Sequence, residues 1–295
     1  MASIIDTIKY RYRTGSMLMK LIFINIGVFI ALRLGAIICM LCGISEQWWL
    51  RWVELPSDPD RLLLMPWTFI TYMFAQYDIL HILFNMLWLY WFGSIFMLTG
   101  TSRRMVALYL YGGIGGALAF LAVYNLLPAF SGIDGWLIGS SASVLAIVTA
   151  TAILHPDYKM GLLFLGEVSL KWVAIVTIGI DLLSIGGVNA GGHIAHIGGA
   201  VVGAVYGIML NRGRDITKPL NALLDRIVNA FKGATDHHTR AKANTRQQTG
   251  KTTQHAADTA EASLDEILDK IKKSGYTSLT NDEKRRLFEV SKKIK

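Results

Sequence analysis

Three short polar groups interrupt otherwise apolar stretches of this 295-residue chain. They are His81-Ile-Leu-Phe-Asn85, Gly139-Ser140-Ser141-Ala142-Ser143 and His193-Ile-Ala-His196-Ile-Gly-Gly. A serine hydroxyl is a weak nucleophile until a base takes its proton, and histidine is the usual base. Asn and His side chains, with an N–H at a helix N-terminus, are the donors that hold a developing oxyanion. Together the three groups contain the parts of an acyl-transfer site. Taken singly they are ordinary, because serines beside glycine are common where membrane helices touch. A lone interfacial His or Asn is more often a hydrogen-bonding member of a bundle. Gly199, Gly203 and Gly207, at four-residue spacing, read as a helix contact face, and Gly112 with Gly116 as another.

What joins the three groups is the set of elements that must carry them. The chain is 53% hydrophobic and 17% charged, with a mean hydropathy of +0.41, well off the average for a soluble domain. The long apolar runs lie between about residues 20 and 210, so the reading is a polar segment 1–20, one membrane domain 21–211 and a polar tail 212–295. Six segments are long enough to cross: about 21–43, 79–98, 105–125, 136–154, 169–187 and 193–211. The first run is too long for a signal core and is expected to remain as a span. Lys9, Arg11, Arg13 and Lys20 precede span one, Arg103 and Arg104 follow two, Lys159 follows four, and Arg212 and Arg214 follow six. With six crossings these all fall on one side, so both termini are cytoplasmic. In a bacterium the host bilayer is then the plasma (inner) membrane. Spans two, four and six run from outside to inside, and each polar group lies within about two turns of an outer end. All three share one depth, reachable by water. No acidic residue sits at that depth in span six, which favours a Ser–His dyad over a triad.

The remaining features read blandly. The net charge of +8 anchors helices; no nucleic-acid module accompanies it. Cys39 and Cys42, in an apolar run, are small lipid-compatible residues, and no metal or other cofactor is called for. The long connection of about 44–78 is rich in Trp, with Trp48, Trp49, Trp52 and Trp67, and is expected to lie in the outer leaflet. Arg33, in the outer half of span one, is expected to snorkel to the headgroups. In the tail, Leu220, Leu223, Leu224, Ile227, Val228 and Phe231 recur at helical spacing, suiting a helix on the inner membrane surface. A polar linker of about 234–262 follows. Capping boxes at Ser263–Glu266 and Thr280–Glu283 then predict a C-terminal helical pair.

Over about residues 15–211 the chain resembles the rhomboid intramembrane serine proteases. The matching motifs are His81 and Asn85 (HxxxN), Gly139 and Ser141 (GxS), and Ala195, His196 and Gly199 (AHxxG), with Pro66–Tyr72 leading into span two. The resemblance implies an all-α, six-transmembrane-helix bundle that cuts single-span membrane proteins without a cofactor. Ser141 would be the nucleophile and His196 the general base. His81, Asn85 and the Ser141 N–H would form the oxyanion hole. Ala142 replaces the second glycine of the usual GxSG, Leu145 stands where many members carry an aromatic, and Leu50-Arg51-Trp52 reverses a common Trp-Arg pair. His193 is a rival base, and the register set by Gly199 and Gly203 selects His196. The alternative is a catalytically inactive relative that binds membrane proteins or acts in quality control, although such relatives typically lose Ser141 or His196. A transporter or channel would need an ionisable path across the midplane. The oligomeric state stays open.

Overall fold

The computed structural model describes residues 15–162 and 166–229, together with Tyr12 and positions 267, 270–272, 279, 280 and 284. The chain divides into two compact units, Met1–Leu224 and Asp225–Lys295. Among the described residues, four helices of the first unit are long and apolar enough to cross a membrane: α1 (Met17–Leu41), α5 (Ile79–Phe96), α6 (Ser102–Leu126) and α9 (Ala190–Asn211). Two shorter helices, α7 (Ser141–Leu154) and α8 (Leu170–Leu183), occupy the segments expected to be spans four and five. The protein is a multi-pass membrane protein, and the outward faces show why. Ile24, Ile30, Leu34, Ile37 and Ile38 of α1 and Ile175, Val176, Ile180 and Leu183 of α8 are exposed, as suits side chains that lipid would cover.

The fourth predicted span needs correction. Residues 136–140 are not helical: Trp136–Leu137 form a two-residue strand, β2, antiparallel to β1 (Leu55–Pro56), with Leu55 opposite Leu137. Hydropathy cannot separate a buried strand from a helix in so short a run. The glycine breaks the pattern physically, since Gly139 takes φ +132°, a region open to glycine and costly to other residues. The helix therefore begins at Ser141 and has 14 residues.

The connection between α1 and α5 is folded. It holds α2 (Glu46–Leu50), β1, α3 (Pro59–Leu64) and α4 (Thr68–Thr71). The Trp52 and Trp67 rings stack 6.1 Å apart, and Trp67 donates its indole N–H to the Trp52 carbonyl at 2.9 Å. Arg51 lies 3.7 Å over the Trp136 ring and pairs with Glu54 at 3.0 Å, so this arginine meets a tryptophan supplied by a different segment. Arg33 rests 4.4 Å from the ring of Tyr77, a cation–π contact. Past α7, an antiparallel hairpin of β3 (Lys159–Leu162) and β4 (Gly166–Ser169) leads into α8.

At the centre, α7 is locked between α6 and α9. Eleven of its 14 residues are buried, against four of the 14 in α8. A Cβ on Gly199 would strike the Ala142 carbonyl oxygen, and one on Gly203 the Ala146 carbonyl oxygen. On the opposite side, a Cβ on Gly116 would come within 2.6 Å of the Ala142 methyl, and one on Gly112 would strike Ala146. Both glycine faces read from spacing are therefore real contact faces, and the same helix fills both.

Where the chain leaves α9, Arg104 pairs with Asp215 at 2.7 Å, and Asp215 also accepts from the Thr217 N–H and hydroxyl at 3.0 and 2.6 Å. Residues 218–229 are helical, where the leucine spacing predicts a helix. Most of the linker of about 234–262 and of the C-terminal helical pair lies outside the described residues; within the pair, the Lys284 N–H donates to the Thr280 carbonyl at 3.0 Å.

Two outcomes follow. Gly199→Val should cost about 1–3 kcal/mol of stability by overpacking, read as a lower unfolding temperature in detergent. Gly179→Ala should not lower it, since a Cβ there meets nothing within 4 Å and alanine favours a helix interior over glycine. Burial would raise the Asp215 carboxyl, but hydrogen bonds from Thr217 and Arg104 outweigh it and hold its pKa below the usual value. A depressed carboxylate stabilises above its unfolded pKa, and that gain is lost as pH falls through the folded one. Asp215→Asn should therefore lower the unfolding temperature at pH 7, and the gap from wild type should close as acid protonates the native carboxyl.

Candidate active site

Ser141 stands at the first position of α7, where the backbone N–H groups have no partner within the helix. Three features place it there. The Gly139 N–H donates to the Tyr72 carbonyl at 3.0 Å. The positive φ of Gly139 turns the chain into the helix. Ala142 then seats against Gly199 and Gly116. The neighbouring serines point elsewhere: Ser140 and Ser143 are fully buried, with the Ser143 hydroxyl facing Gly113 of α6. Of the three, only Ser141 is partly exposed.

Ser141, Asn85 and His196 line one cavity of about 180 Å³, walled by Phe84, Trp88, Val144 and Leu145. His81 adjoins it. A Cβ on Gly139 would lie 2.9 Å from His81 Cε1 and 3.5 Å from Ser141 Oγ, so ring and hydroxyl flank the same small space. The four residues singled out from the sequence are thus brought together from α5, α7 and α9. His81 is held from behind, its backbone N–H donating at 2.8 Å to Asp78, which caps α5.

Asn85 is 7% exposed and belongs to a buried polar chain. Its amide donates to Gln76 Oε1 at 2.7 Å, and Gln76 donates to Asn25 Oδ1 of α1 at 3.3 Å. Asn25 in turn donates to the Tyr109 hydroxyl at 3.1 Å, and that hydroxyl donates to the Met73 carbonyl at 2.7 Å. One N–H of Asn85 is given to Gln76, and the residue also lines the cavity.

One residue escapes the reading of the sequence. Asp181 of α8, 5% exposed, lies with Oδ1 2.8 Å from Nδ1 of His196 and 2.8 Å from Nδ1 of His193. The carboxylate comes from span five, so looking for an acid along span six could not find it. The signal was nonetheless present, because a lone carboxylate in an apolar span marks function by default. Among the described residues, Asp181, His193 and His196 are also the group whose donor atoms could hold a metal ion, all within 4.8 Å of one another. Their spacing to one shared oxygen equals that of direct, charge-assisted N–H···O hydrogen bonds. His193, the rival base, bonds to Asp181 and does not line the cavity.

The chemistry available is therefore attack by a hydroxyl, proton transfer to an imidazole and stabilisation of an oxyanion, in an apolar recess. Residues 64–213 match the family model of the Rhomboid domain, and residues 256–293 match a family of unknown function (DUF6576). Three curated relatives are similar to this chain. "RHOMBOID-like protein 12, mitochondrial" of Arabidopsis thaliana is 33% identical over 159 residues, covering 50% of this chain and 47% of that protein. "Presenilin-associated rhomboid-like protein A, mitochondrial" of Danio rerio is 28% identical over 155 residues, covering 51% and 38%. "Rhomboid-like protein 17, chloroplastic" of Arabidopsis thaliana is 28% identical over 166 residues, covering 50% of each. The chain thus spans half or less of the length of these relatives. Their names point to mitochondria and chloroplasts, so the expectation of a plasma membrane finds no support in them.

Gly139→Ala tests the turn that positions the site. The positive φ and the approach to His81 should together cost about 1–3 kcal/mol, measured as a lower unfolding temperature than that of Gly132→Ala. Gly132 also has positive φ (77°) but has open space around it.

Proposed function

The chain belongs to the rhomboid family, and from that premise we propose that it is an intramembrane serine endopeptidase acting on single-span membrane proteins. The observation that carries this reading is the convergence of Ser141, His196 and Asn85 on one cavity, with His81 beside Ser141. The proposed architecture has six crossings with both termini cytoplasmic; α7 and α8 serve as the fourth and fifth spans. Spans two, four and six then carry the site near the outer surface.

In the proposed reaction, Ser141 Oγ attacks the scissile carbonyl carbon as His196 Nε2 takes the hydroxyl proton. The C–O bond forms and the carbonyl π pair moves onto oxygen. That oxyanion meets the Asn85 amide, the His81 ring and the Ser141 N–H, with the N-terminus of α7 behind it. His196 then protonates the leaving amine as the C–N bond breaks. Water enters from the outer side and attacks the acyl carbon as His196 takes its proton. The second oxyanion then collapses, the ester C–O bond breaks, and His196 returns the proton to Ser141 Oγ as the acid is freed. Phe84, Trp88, Val144 and Leu145 exclude bulk water, which strengthens every donor in the recess. The substrates that fit are helices that unwind readily near a small residue, since an intact helix hides its carbonyls in hydrogen bonds.

Retention of Ser141, His196, His81 and Asn85 in one place also weighs against the inactive-relative reading. Ser141→Ala and His196→Ala should each abolish cleavage of a test single-span substrate, and the double variant should be no worse than either, as for groups acting as one unit. Asn85→Ala should slow cleavage about 10²–10³-fold. Ser140→Ala and Ser143→Ala should stay within about tenfold of wild type, since the rate loss expected of a nucleophile far exceeds that. A serine-directed phosphonate should label the wild type at Ser141. A folded wild type that neither cleaves nor labels would favour the inactive-relative reading.

A further inference from the structure

We propose that Asp181 is the positioning carboxylate of the site, so that the dyad is completed by an acid from a third helix, with His193 as the clamp that holds that acid in place. The inference rests on the assignment of Ser141 and His196 above. It starts from one oxygen atom: Asp181 Oδ1 lies 2.8 Å from two imidazole nitrogens, Nδ1 of His193 and Nδ1 of His196. An ionised carboxylate can only accept hydrogen bonds, so both Nδ1 atoms carry the hydrogen. The tautomer of His196 is thereby fixed, with its lone pair on Nε2. His196 lines the cavity shared with Ser141, and Nε2 is the nitrogen a general base must offer there.

The surroundings show why the carboxylate stays put. Its side chain is 8% exposed, and among the described residues its ion-pair partners are these two histidines alone. His193 and His196 are three apart on α9, so both rings reach the same side of the helix. The rings stand at 84° with centroids 5.8 Å apart, and their N–H groups approach the oxygen from different directions. A single hydrogen bond would leave the carboxylate free to swing about the other. Two bonds fix its oxygen in space, and through it the plane of His196. This division of labour leaves the ring of His196 held by Asp181, while the aliphatic Leu145 lines the cavity. It also gives His193 a task that is not catalysis.

The test uses the full chain in detergent, with a test single-span substrate and a serine-directed phosphonate. Asp181→Asn should fold with the helical content of the wild type. Its kcat should fall about 10²-fold or more, because an Asn in this place can settle the wrong tautomer. KM should change less than kcat, since Asp181, although it reaches the cavity wall, acts through His196. Phosphonate labelling of Ser141 should slow in parallel. Asp181→Glu, which keeps the charge, should recover at least about tenfold over Asp181→Asn, and His193→Ala should keep more activity than Asp181→Asn. If Asp181→Asn does not fold, Asp181→Ser replaces it with the same expectations. Cleavage and labelling of Asp181→Asn at wild-type rates would overturn the proposal while leaving the protease reading intact. A wild type whose labelling stops with a chelator and returns with zinc would overturn it in favour of a metal site on these three residues. A wild type unlabelled at Ser141 under every condition would instead overturn the reading on which the proposal rests.

Discussion

The structure hangs on how closely α7 can approach its two neighbours. The backbone of this helix touches α9 through Gly199 and Gly203, and its alanine methyls touch α6 at Gly112 and Gly116. In a bilayer no hydrophobic force drives helices together, because lipid tails are as apolar as leucine. Van der Waals contact must supply the attraction, and it is strongest where nothing larger than hydrogen intervenes. The same contacts set the height of Ser141, since Ala142 is the residue wedged between Gly199 and Gly116. Position and stability of the nucleophile are therefore one property. The methyl of Ala142, in the place of a glycine in the usual motif, is accepted because Gly116 across from it has no side chain.

Around this rigid centre the other parts of the site are held by polar bonds. Asn85 is reached through Gln76 from Asn25 on α1, and His196 through Asp181 on α8. Asn85 and Asp181 are buried, where an unmade hydrogen bond is expensive. One link comes from α1 and the other from α8, so these helices bear on the placement of Asn85 and His196. The link to α8 is the more exposed to disturbance, as only Leu170, Val173, Ala174 and Asp181 of that helix are buried.

Much of this was legible in the residues. Runs of apolar length located α1, α5, α6 and α9, four-residue glycine spacing located both contact faces, and the charge pattern aligned three polar groups at one depth. Those groups do meet. What escaped notice depended on contacts between distant segments. The pairing of Leu55 with Leu137 and the seating of Arg51 on Trp136 join positions about eighty apart, which no local period can register. The shortness of α7 was hidden because Trp136 and Leu137 are as apolar as a span. Asp181 was hidden because one carboxylate barely moves a hydropathy average, although its energetic cost is far larger than that average suggests. Gln76 lies outside any span and shows itself only through Asn85.

The brevity of two helices has a mechanical consequence. At about 1.5 Å per residue, the 14 residues of α7 and of α8 each measure about 21 Å. A hydrocarbon core is about 30 Å thick. A helix of that length leaves about 9 Å of the core to other segments, and at the N-terminal end of α7 these are β2 and the turn at Gly139. α8, whose outward face is apolar and exposed, meets lipid over that shorter length, so the bilayer beside it must thin or tilt. The cost of that mismatch depends on bilayer thickness, which thereby becomes a variable acting on α8, the helix that carries Asp181.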